Sequence, residues 1–441
     1  MEITIPIILD FLRLDPVLFM YMFTSFLKYP IFQNLIYEKV CYNFNNVTID
    51  CTNITEIHKI REFQSEANNV YLGSSLCLIL PSIVSAMVLG QLFDMGSKRL
   101  IALLIPFIGL IGCDISYIIQ TNDLKLNPYY LLISDIIFGL CGGFTALMGL
   151  INSYNVRNTN ESDRGIRISR YEATISLSGT LGSFTSGLIR EKIGYTNVFV
   201  VILCIHILCI IYIIISFKLE NNIITSSEGE LKTINEFIKN IIKPLSISGI
   251  RKKIIILLFI SLAFELFIYG GINDIQFSYF LYKFAWGDKK FGIFNGFLML
   301  SSGIGTLILY PYLIRQFYIS SHIMAVIGML NKVVFLILTV FITNDSWIYI
   351  ILIPNLMTRF VATGLRSLAS INTPIEEQGK LFSIIELIQG VTSLVSSAVY
   401  NTVYPKTLSF FSGFMYILTA TTYILPLLIM FKIHKLLKIS N

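Results

Sequence analysis

The sequence predicts an all-α membrane protein with twelve transmembrane helices arranged as two six-helix bundles. The first observation is composition: 54% of the 441 residues are hydrophobic and only 14% are charged, whereas soluble domains carry about 25% charged residues. The second is a mean hydropathy of +0.72. The third is the spacing of the apolar segments, which are long enough to cross a bilayer, since a span needs about 20 residues.

The apolar segments follow one another with short polar connections, except at one place. The predicted spans are residues 15–37, 68–93, 99–119, 128–154, 168–189, 195–217, 253–281, 290–313, 319–343, 346–371, 380–402 and 408–431. The longest internal polar stretch separates the first six from the last six. We therefore predict an N-terminal bundle over residues 1–217, a cytoplasmic linker over 218–252, and a C-terminal bundle with a short tail over 253–441.

The basic residues fix the direction of the spans. With both termini in the cytoplasm, nineteen of the 33 Lys and Arg residues fall on inner segments, ten on outer segments and four inside spans. Lys and Arg concentrate on the cytoplasmic side of membrane proteins. The net charge of +6 is thus explained by topology, and we expect the bilayer rather than nucleic acid as the partner of the basic residues.

The first outer loop, residues 38–67, combines two sequence features of the non-cytoplasmic face. Asn46 and Asn53 each begin an Asn-x-Thr acceptor sequence, and Cys41 and Cys51 lie beside them. N-glycosylation and disulfides both belong to that face. We expect Asn46 and Asn53 to be glycosylated, while Cys41 and Cys51 either form a disulfide or remain free thiols.

A short motif joins the second and third spans on the predicted inner side. It runs Gly90-Gln-Leu-Phe-Asp94-Met-Gly-Ser-Lys98-Arg99. An acid at a helix end can pair with bases and with the next helix N-terminus, and such a contact can hold one conformation closed. We predict an inner gate of Asp94, Lys98 and Arg99; the alternative is a simple positive-inside signal. The motif resembles the loop signature of the major facilitator superfamily, which implies the major facilitator fold.

Further segments resemble the proton-coupled folate transporter family, solute carrier family 46. These segments are Asp15-Pro-Val-Leu-Phe19, Arg170-Tyr-Glu-Ala173, Gly364-Leu-Arg-Ser367, Glu377-Gln-Gly-Lys-Leu-Phe-Ser383 and Tyr400-Asn-Thr-Val-Tyr-Pro-Lys-Thr-Leu408. The resemblance implies proton coupling at Glu172 and a buried substrate-binding arginine at Arg366.

The chain departs from that family at three positions. Asn155 replaces an aspartate, Tyr269 aligns with a histidine, and Ala285 replaces an outer cysteine. The last change removes the usual partner of a first-loop cysteine and favours a local Cys41–Cys51 bridge. The other two alter the surroundings of the proton site, so proton coupling is a firmer expectation than folate as the substrate.

Charged residues inside spans supply the remaining candidates. Each costs about 2.5–3.5 kcal/mol to insert at a helix centre, so pairing, water or function has to compensate for it. The predicted proton-coupling acids are Glu172 and Glu265, and the predicted substrate-binding residues are Arg366, Arg359, Lys28, Tyr269, Glu386 and Asp135. For Lys28 the alternative is snorkelling to the outer surface. Asp114 and Lys332 lie on spans expected to be peripheral, where pairing or snorkelling is the expectation.

These features favour a secondary active transporter that takes up a folate-like or other carboxylate with protons by alternating access. An uncoupled carrier and a non-transporting receptor or scaffold are the alternatives. An enzyme is not expected, because the four histidines lack metal-ligand spacing and no phosphate loop or nucleophile motif is present. We expect no cofactor besides the coupling proton and no metal. We expect the plasma membrane as the location, with a lysosomal or endosomal membrane as the alternative.

Overall fold

The fold is known from a computed structural model, which describes residues 14–44, 50–51, 57–94, 98–157, 164–220, 247, 249–374 and 378–440. Within these ranges the chain forms helices joined by turns and short irregular segments, and no strand is present. The all-α prediction is therefore confirmed for the described part of the chain.

Six helices form the first part of the chain. They are α1 (Asp15–Asn43), α2 (Arg61–Asp94), α3 (Arg99–Thr121), α4 (Leu131–Leu140), α5 (Gly143–Arg157) and α6 (Arg164–Glu220), with a 3₁₀ turn at Pro128–Tyr130 before α4. Helix α1 packs along α6, α6 also packs against α3, and α2 packs against α4 and α5.

Nine further helices follow. They are α7 (Gly249–Phe284), α8 (Asp288–Ile304), α9 (Tyr310–Phe317), α10 (Ser321–Phe341), α11 (Leu352–Asn355), α12 (Phe360–Ile371), α13 (Gln378–Thr407), α14 (Phe414–Thr422) and α15 (Ile424–Ser440). A π-helical segment, Gly305–Leu309, joins α8 to α9, and a 3₁₀ segment, Trp347–Ile351, precedes α11. Helix α7 packs against α13 and α15, and α10 packs against α12 and α14.

Every predicted span lies mainly on helical chain in the described ranges, although residues 408–413 of the last span precede its helix. Nine helical segments there are long and apolar enough to cross a membrane. One of the nine, Ala173–Phe217, is 45 residues long and contains the sixth predicted span and most of the fifth. The predicted first and eleventh spans, 15–37 and 380–402, lie on α1 and α13. Large apolar side chains such as Ile108 and Ile119 are 59% and 62% exposed, as a lipid-facing helix requires.

A single glycine divides α6. Gly194 has φ 76° and ψ 172°, although the residues around it are helical. Only glycine adopts this backbone conformation without steric cost. The break lies between the predicted fifth and sixth spans, so the two spans are joined by a kink at Gly194 and not by a loop.

Three predicted spans contain interruptions that hydropathy does not reveal. Gly142 and Gly143 have φ values of 109° and 57° and separate α4 from α5. Asp135 and Gly149 therefore do not lie on one continuous helix, because the first helix ends at Leu140. The second interruption, residues 356–359, separates α11 from α12, and the third, Tyr423, separates α14 from α15.

The chain divides into two compact units. The first contains Met1–Ile234 and Ala285–Gly296, and the second contains Asn235–Phe284 and Phe297–Asn441. The division after residue 234 falls inside the predicted linker. Residues 285–296 were predicted to lie in the C-terminal bundle; they group with the first unit because the beginning of α8 packs against α6, where Asn295 Nδ2 donates to Ser183 Oγ at 3.0 Å.

The described part of the first outer loop is fastened at several points. Cys41 and Cys51 form a disulfide, and the Phe44 ring packs edge-on against Phe63 with centroids 4.8 Å apart. Asn43 Nδ2 donates to the carbonyl oxygens of Lys125 and Leu126. These contacts hold the C-terminal end of α1 in place. The predicted glycosylation sites, Asn46 and Asn53, lie outside the described residues.

Replacing both bridged cysteines with serine (Cys41→Ser with Cys51→Ser) should destabilise the protein. The bridge closes a short loop, with a sequence separation of 10 residues, and a loop of this size stabilises by about 2–3 kcal/mol through restriction of the unfolded chain. We expect a lower melting temperature of the purified protein. Cys204→Ser, which changes an exposed free cysteine, is the control and should leave the melting temperature unchanged. An equal melting temperature for the double variant would contradict the prediction.

Candidate functional site

The second unit contains a buried ion pair between two transmembrane helices. Glu265 lies on α7 and Lys332 on α10, and Lys332 Nζ donates to Glu265 Oε1 at 2.5 Å. The two side chains are 5% and 10% exposed. Tyr423, between α14 and α15, donates its hydroxyl to the other carboxylate oxygen at 2.6 Å. Both oxygens of Glu265 are therefore occupied, by one cation and one neutral donor.

Tyr269 is a partly exposed neighbour of this buried pair. It stands one helical turn after Glu265, and Lys332 Nζ lies 5.3 Å from the centroid of its ring. The Tyr269 side chain is 41% exposed, so the lysine has an aromatic face on its accessible side. Cations are attracted to aromatic faces at this distance. The predicted roles of Glu265 in proton coupling and of Tyr269 in substrate binding stay predictions, now with a shared neighbour in Lys332.

The two predicted arginines have different surroundings. Arg366 lies within α12, and its Nη2 donates to Gln389 Oε1 on α13 at 3.3 Å. Arg359 precedes the first residue of α12, and its Nη2 lies 3.5 Å from Met299 Sδ. Arg359 caps the helix, because its carbonyl oxygen accepts a hydrogen bond from the backbone N–H of Thr363 at 3.2 Å. Arg366 follows two turns later on the same helix. The predicted substrate-binding roles of both arginines stay predictions.

In the first unit a carboxylate on α4 is held by two hydroxyl groups. Ser74 Oγ donates to Asp135 Oδ2 at 2.6 Å, and Tyr117 donates its hydroxyl to Asp135 Oδ1 at 2.7 Å. Lys28 Nζ lies 4.1 Å from the centroid of the Tyr117 ring and 5.2 Å from that of Phe32. The side chain of Lys28 is thus directed at the aromatic residue that binds Asp135. Burial of the acid is compensated by two donors and a nearby cation.

A second buried pair in the first unit was not anticipated as a pair. His206 Nδ1 and Asp114 Oδ2 are 2.6 Å apart, and Thr24 Oγ1 is 2.9 Å from the other ring nitrogen of His206. Asp114 lies in the third predicted span and His206 in the sixth. Their separation of 92 positions in the chain gave no signal that they meet. The same is true of Glu265 and Lys332, which are 67 positions apart.

The remaining predicted residues are only partly described. Glu172 lies on α6, Glu386 on α13, and Asp94 ends α2, but their side chains lie outside the described part of the structure. Lys98 and Arg99 stand at the start of α3, and the guanidinium carbon of Arg99 lies 5.8 Å from the centroid of the Phe93 ring. The inner gate stays a prediction. Among the described residues no three His, Cys, Asp or Glu side chains are placed to hold a metal ion.

Comparison with protein families gives one match that covers most of the chain. The family model described as Major Facilitator Superfamily matches residues 17–397. Two kinds of characterised protein are similar over nearly the full length. The lysosomal proton-coupled steroid conjugate and bile acid symporter SLC46A3 of Gallus gallus is 24% identical, covering 94% of this chain and 92% of that protein. The proton-coupled folate transporter of Rattus norvegicus is 23% identical, with 96% and 92% covered.

Solved structures show a similar fold at lower identity. The human organic anion transporter MFSD10 superimposes with a TM-score of 0.67 at 13% identity, covering 95% of this chain and 99% of that one. A peptide transporter of the POT family in complex with sulfate gives a TM-score of 0.66 at 13% identity, with 96% of each chain covered. These likenesses concern the arrangement of the helices.

Proposed function

The chain belongs to the Major Facilitator Superfamily, and from this premise we propose that it is a secondary active transporter that moves an organic anion together with protons by alternating access. It is an integral membrane protein with several transmembrane helices. The proposal concerns the coupling ion, the class of substrate and the direction of transport. Each of the three is supported by different residues.

The observation that carries the proposal is the buried group of Glu265, Lys332 and Tyr423. Charged side chains inside a bilayer are costly, and where they occur they mark ion or substrate pathways. A receptor or scaffold gains nothing from this cost. A carboxylate paired with a lysine can leave that partner and bind a proton in its place. A proton-coupled carrier needs an acid that can change between these two states. Glu172 is proposed as the second proton-coupling acid, on the resemblance of its segment.

The substrate is proposed to be an anion because the chain places fixed cations on transmembrane helices. Arg366 and Arg359 in the second unit and Lys28 in the first offer charge-assisted donors that suit a carboxylate or sulfate. The similar proteins are named for bile acids and steroid conjugates and for folate. The departures at Asn155 and Tyr269 place bile acids and steroid conjugates before folate as candidates.

Orientation and location complete the proposal. We place both termini and the gate of Asp94, Lys98 and Arg99 on the cytoplasmic side, and the disulfide-bonded loop on the opposite side. Transport then runs into the cytoplasm from the extracellular medium or from the lumen of an acidic organelle. The symporters similar to this chain are named as lysosomal proteins. Their name supports the membrane of an acidic organelle as a location for this chain, beside the plasma membrane.

The test is uptake by purified protein in liposomes. Radiolabelled taurocholate, estrone sulfate and folate are offered with the outside at pH 5.5 or pH 7.5 and the inside at pH 7.5. We expect one of these anions to accumulate faster with the acidic outside. Glu172→Gln should abolish the pH dependence while leaving exchange of internal for external substrate, because exchange needs no net proton transfer. Uptake that ignores the pH gradient would refute proton coupling, and a fully active Glu172→Gln protein would refute the coupling role of Glu172.

A further inference from the structure

A cluster of charged residues lies at the predicted outer end of the first unit, away from the residues considered so far. Arg190, near the Gly194 break of α6, donates from Nε to Asp288 Oδ2 at 2.7 Å, and its Nη2 donates to Oδ1 of the same carboxylate. Asp288 is the first residue of α8 and is fully buried. We call this bidentate pair the outer latch. It fastens the start of α8 to α6.

A third ionisable side chain reaches the latch from α1. Tyr195 donates its hydroxyl to Glu38 Oε1 at 2.6 Å, and Asn34 Nδ2 donates to the same oxygen at 3.0 Å. The guanidinium of Arg190 lies over the Tyr195 ring, 5.3 Å from its centroid. Glu38 is only 8% exposed. Tyr195 therefore contacts both groups: its hydroxyl binds the buried carboxyl group of Glu38, and its ring packs against the Arg190 guanidinium of the latch.

The charges of this cluster do not balance when Glu38 is ionised. The groups that face it are Tyr195 and Arg190 from α6 and Asp288 from α8. The nearby pair of Glu191 and Lys289 is about half exposed and compensates itself at 2.6 Å. Two carboxylates then lie near one guanidinium: Asp288 binds Arg190 through two hydrogen bonds, whereas Glu38 interacts with its charge without a direct hydrogen bond. Protonation of Glu38 removes the surplus negative charge and leaves Arg190 to Asp288.

Lys39, the next residue of α1, does not supply the missing cation. Its Nζ donates to the carbonyl oxygen of Asp123 at 3.0 Å, in the connection between the third and fourth predicted spans. The surplus charge is therefore removed by a proton or by opening of the cluster to water.

We propose that Glu38 is a proton-binding site on the outer side, and that its protonation closes the outer latch of Arg190 and Asp288. This role of Glu38 rests on the proposed function. A symporter carries protons inward, and Glu38 would take up such a proton from the outer solution before the latch closes. The site is separate from Glu172 and Glu265. Its ligand is a proton delivered from the outer solution.

The direction of the effect follows from burial. Glu38 lies beyond the predicted first span, and its burial in the latched form raises the pKa of its carboxyl group. Water reaching the group in an opened form would return the pKa toward the ordinary value of about 4.3. The latched form thus binds the proton more tightly. Its stability relative to the open form is gained as pH falls through the raised pKa and lost as pH rises through it.

The chain around the start of α8 is closely packed and contains a buried tryptophan, Trp286, whose environment would change if the latch opened. A Cβ atom at Gly187 would collide with the backbone of Lys289, so the backbones of α6 and α8 are in close contact there. Trp286, two residues before Asp288, is 2% exposed and packs edge-on against Phe294 with centroids 5.3 Å apart. Opening of the latch would bring water to this indole.

The experiment uses Trp286 as its probe and needs no substrate. The chain has two tryptophans, so Trp347→Phe, at a 62% exposed position, leaves Trp286 as the single reporter. Fluorescence of the purified protein is followed from pH 8 to pH 5, with acrylamide as quencher. We expect red-shifted, quenchable emission at pH 8 and blue-shifted, protected emission at pH 5. Adding Glu38→Gln should give the protected emission at every pH.

Two further variants keep the result interpretable. Glu191→Gln changes the exposed neighbouring pair and should titrate like its parent. Tyr195→Phe retains the Glu38 carboxylate but removes a donor that stabilises its ionised form, so the midpoint should move to higher pH. A pH transition that persists in Glu38→Gln, or a parent protein without any transition, overturns the proposal. Absence of transport in liposomes would overturn the proposed function and leave these fluorescence results unaffected.

Discussion

Lys332→Met is expected to lower the free energy of unfolding by about 3–5 kcal/mol, because it leaves Glu265 buried without its cation. Lys332 and Glu265 are 10% and 5% exposed and 2.5 Å apart, so water cannot replace the missing partner without opening the helix contacts. The Tyr423 hydroxyl that remains donates one hydrogen bond and carries no charge. The measurement is thermal unfolding of the purified protein at neutral pH.

The matched control removes both charges together. Glu265→Gln combined with Lys332→Met leaves no uncompensated ion, and it should recover most of the stability lost in the single variant. Lys332→Arg retains the cation and should fall between the parent and Lys332→Met. If Lys332→Met melts at the parent temperature, or if the double variant is as unstable as the single one, the pair does not stabilise the second unit.

The helices could be predicted from sequence because a bilayer imposes a simple rule on them. Every backbone polar group must be paired within the helix, and the side chains must be apolar over about 20 residues. Hydropathy therefore placed its spans on chain that is mainly helical where the structure describes it. It missed the interruptions at Gly142 and Gly143, at residues 356–359 and at Tyr423, because short breaks leave the mean hydropathy of a segment unchanged.

The charged residues inside spans were also recognisable one at a time, but their pairing was not. Glu265 and Lys332, and likewise Asp114 and His206, come from helices distant in the chain, and no periodicity within one helix connects them. Lys332 was assigned to a peripheral span, where it was expected either to pair with an acid or to snorkel to the membrane surface. Its partner, Glu265 on α7, is brought to it only by the folding of the chain.

Helix packing determines the outer latch, and for that reason the sequence did not reveal it. Arg190 was one of the ten Lys and Arg residues assigned to outer segments, and Asp288 and Glu38 were not singled out. Their contact depends on the close approach of α6 and α8 at Gly187, and glycines are common on the surfaces of membrane helices wherever two of them pack. Topology could place these residues on one side of the membrane but could not bring them together.

Arg366→Ala is expected to raise the apparent KM for the transported anion by about 10- to 150-fold. A hydrogen bond to a charged group is worth about 1.5–3 kcal/mol, and each step of about 1.4 kcal/mol corresponds to a factor of ten. Arg366 lies within α12 and is half-buried, with Gln389 as a hydrogen-bond partner. The measurement is initial uptake into liposomes at an outside pH of 5.5, over a range of taurocholate, estrone sulfate or folate concentrations.

Two variants separate anion binding from loss of structure. Arg366→Lys retains one charge without the planar fork, and it should give an intermediate KM because a lysine cannot bind a carboxylate or sulfate through two parallel donors. Arg251→Ala removes an exposed arginine at the start of α7 and should transport like the parent. Thermal stabilisation by the same anion should weaken in parallel with KM, since both report binding to the folded protein. An unchanged KM in Arg366→Ala would place the anion elsewhere, and Arg359 and Lys28 would then be the cations to replace next.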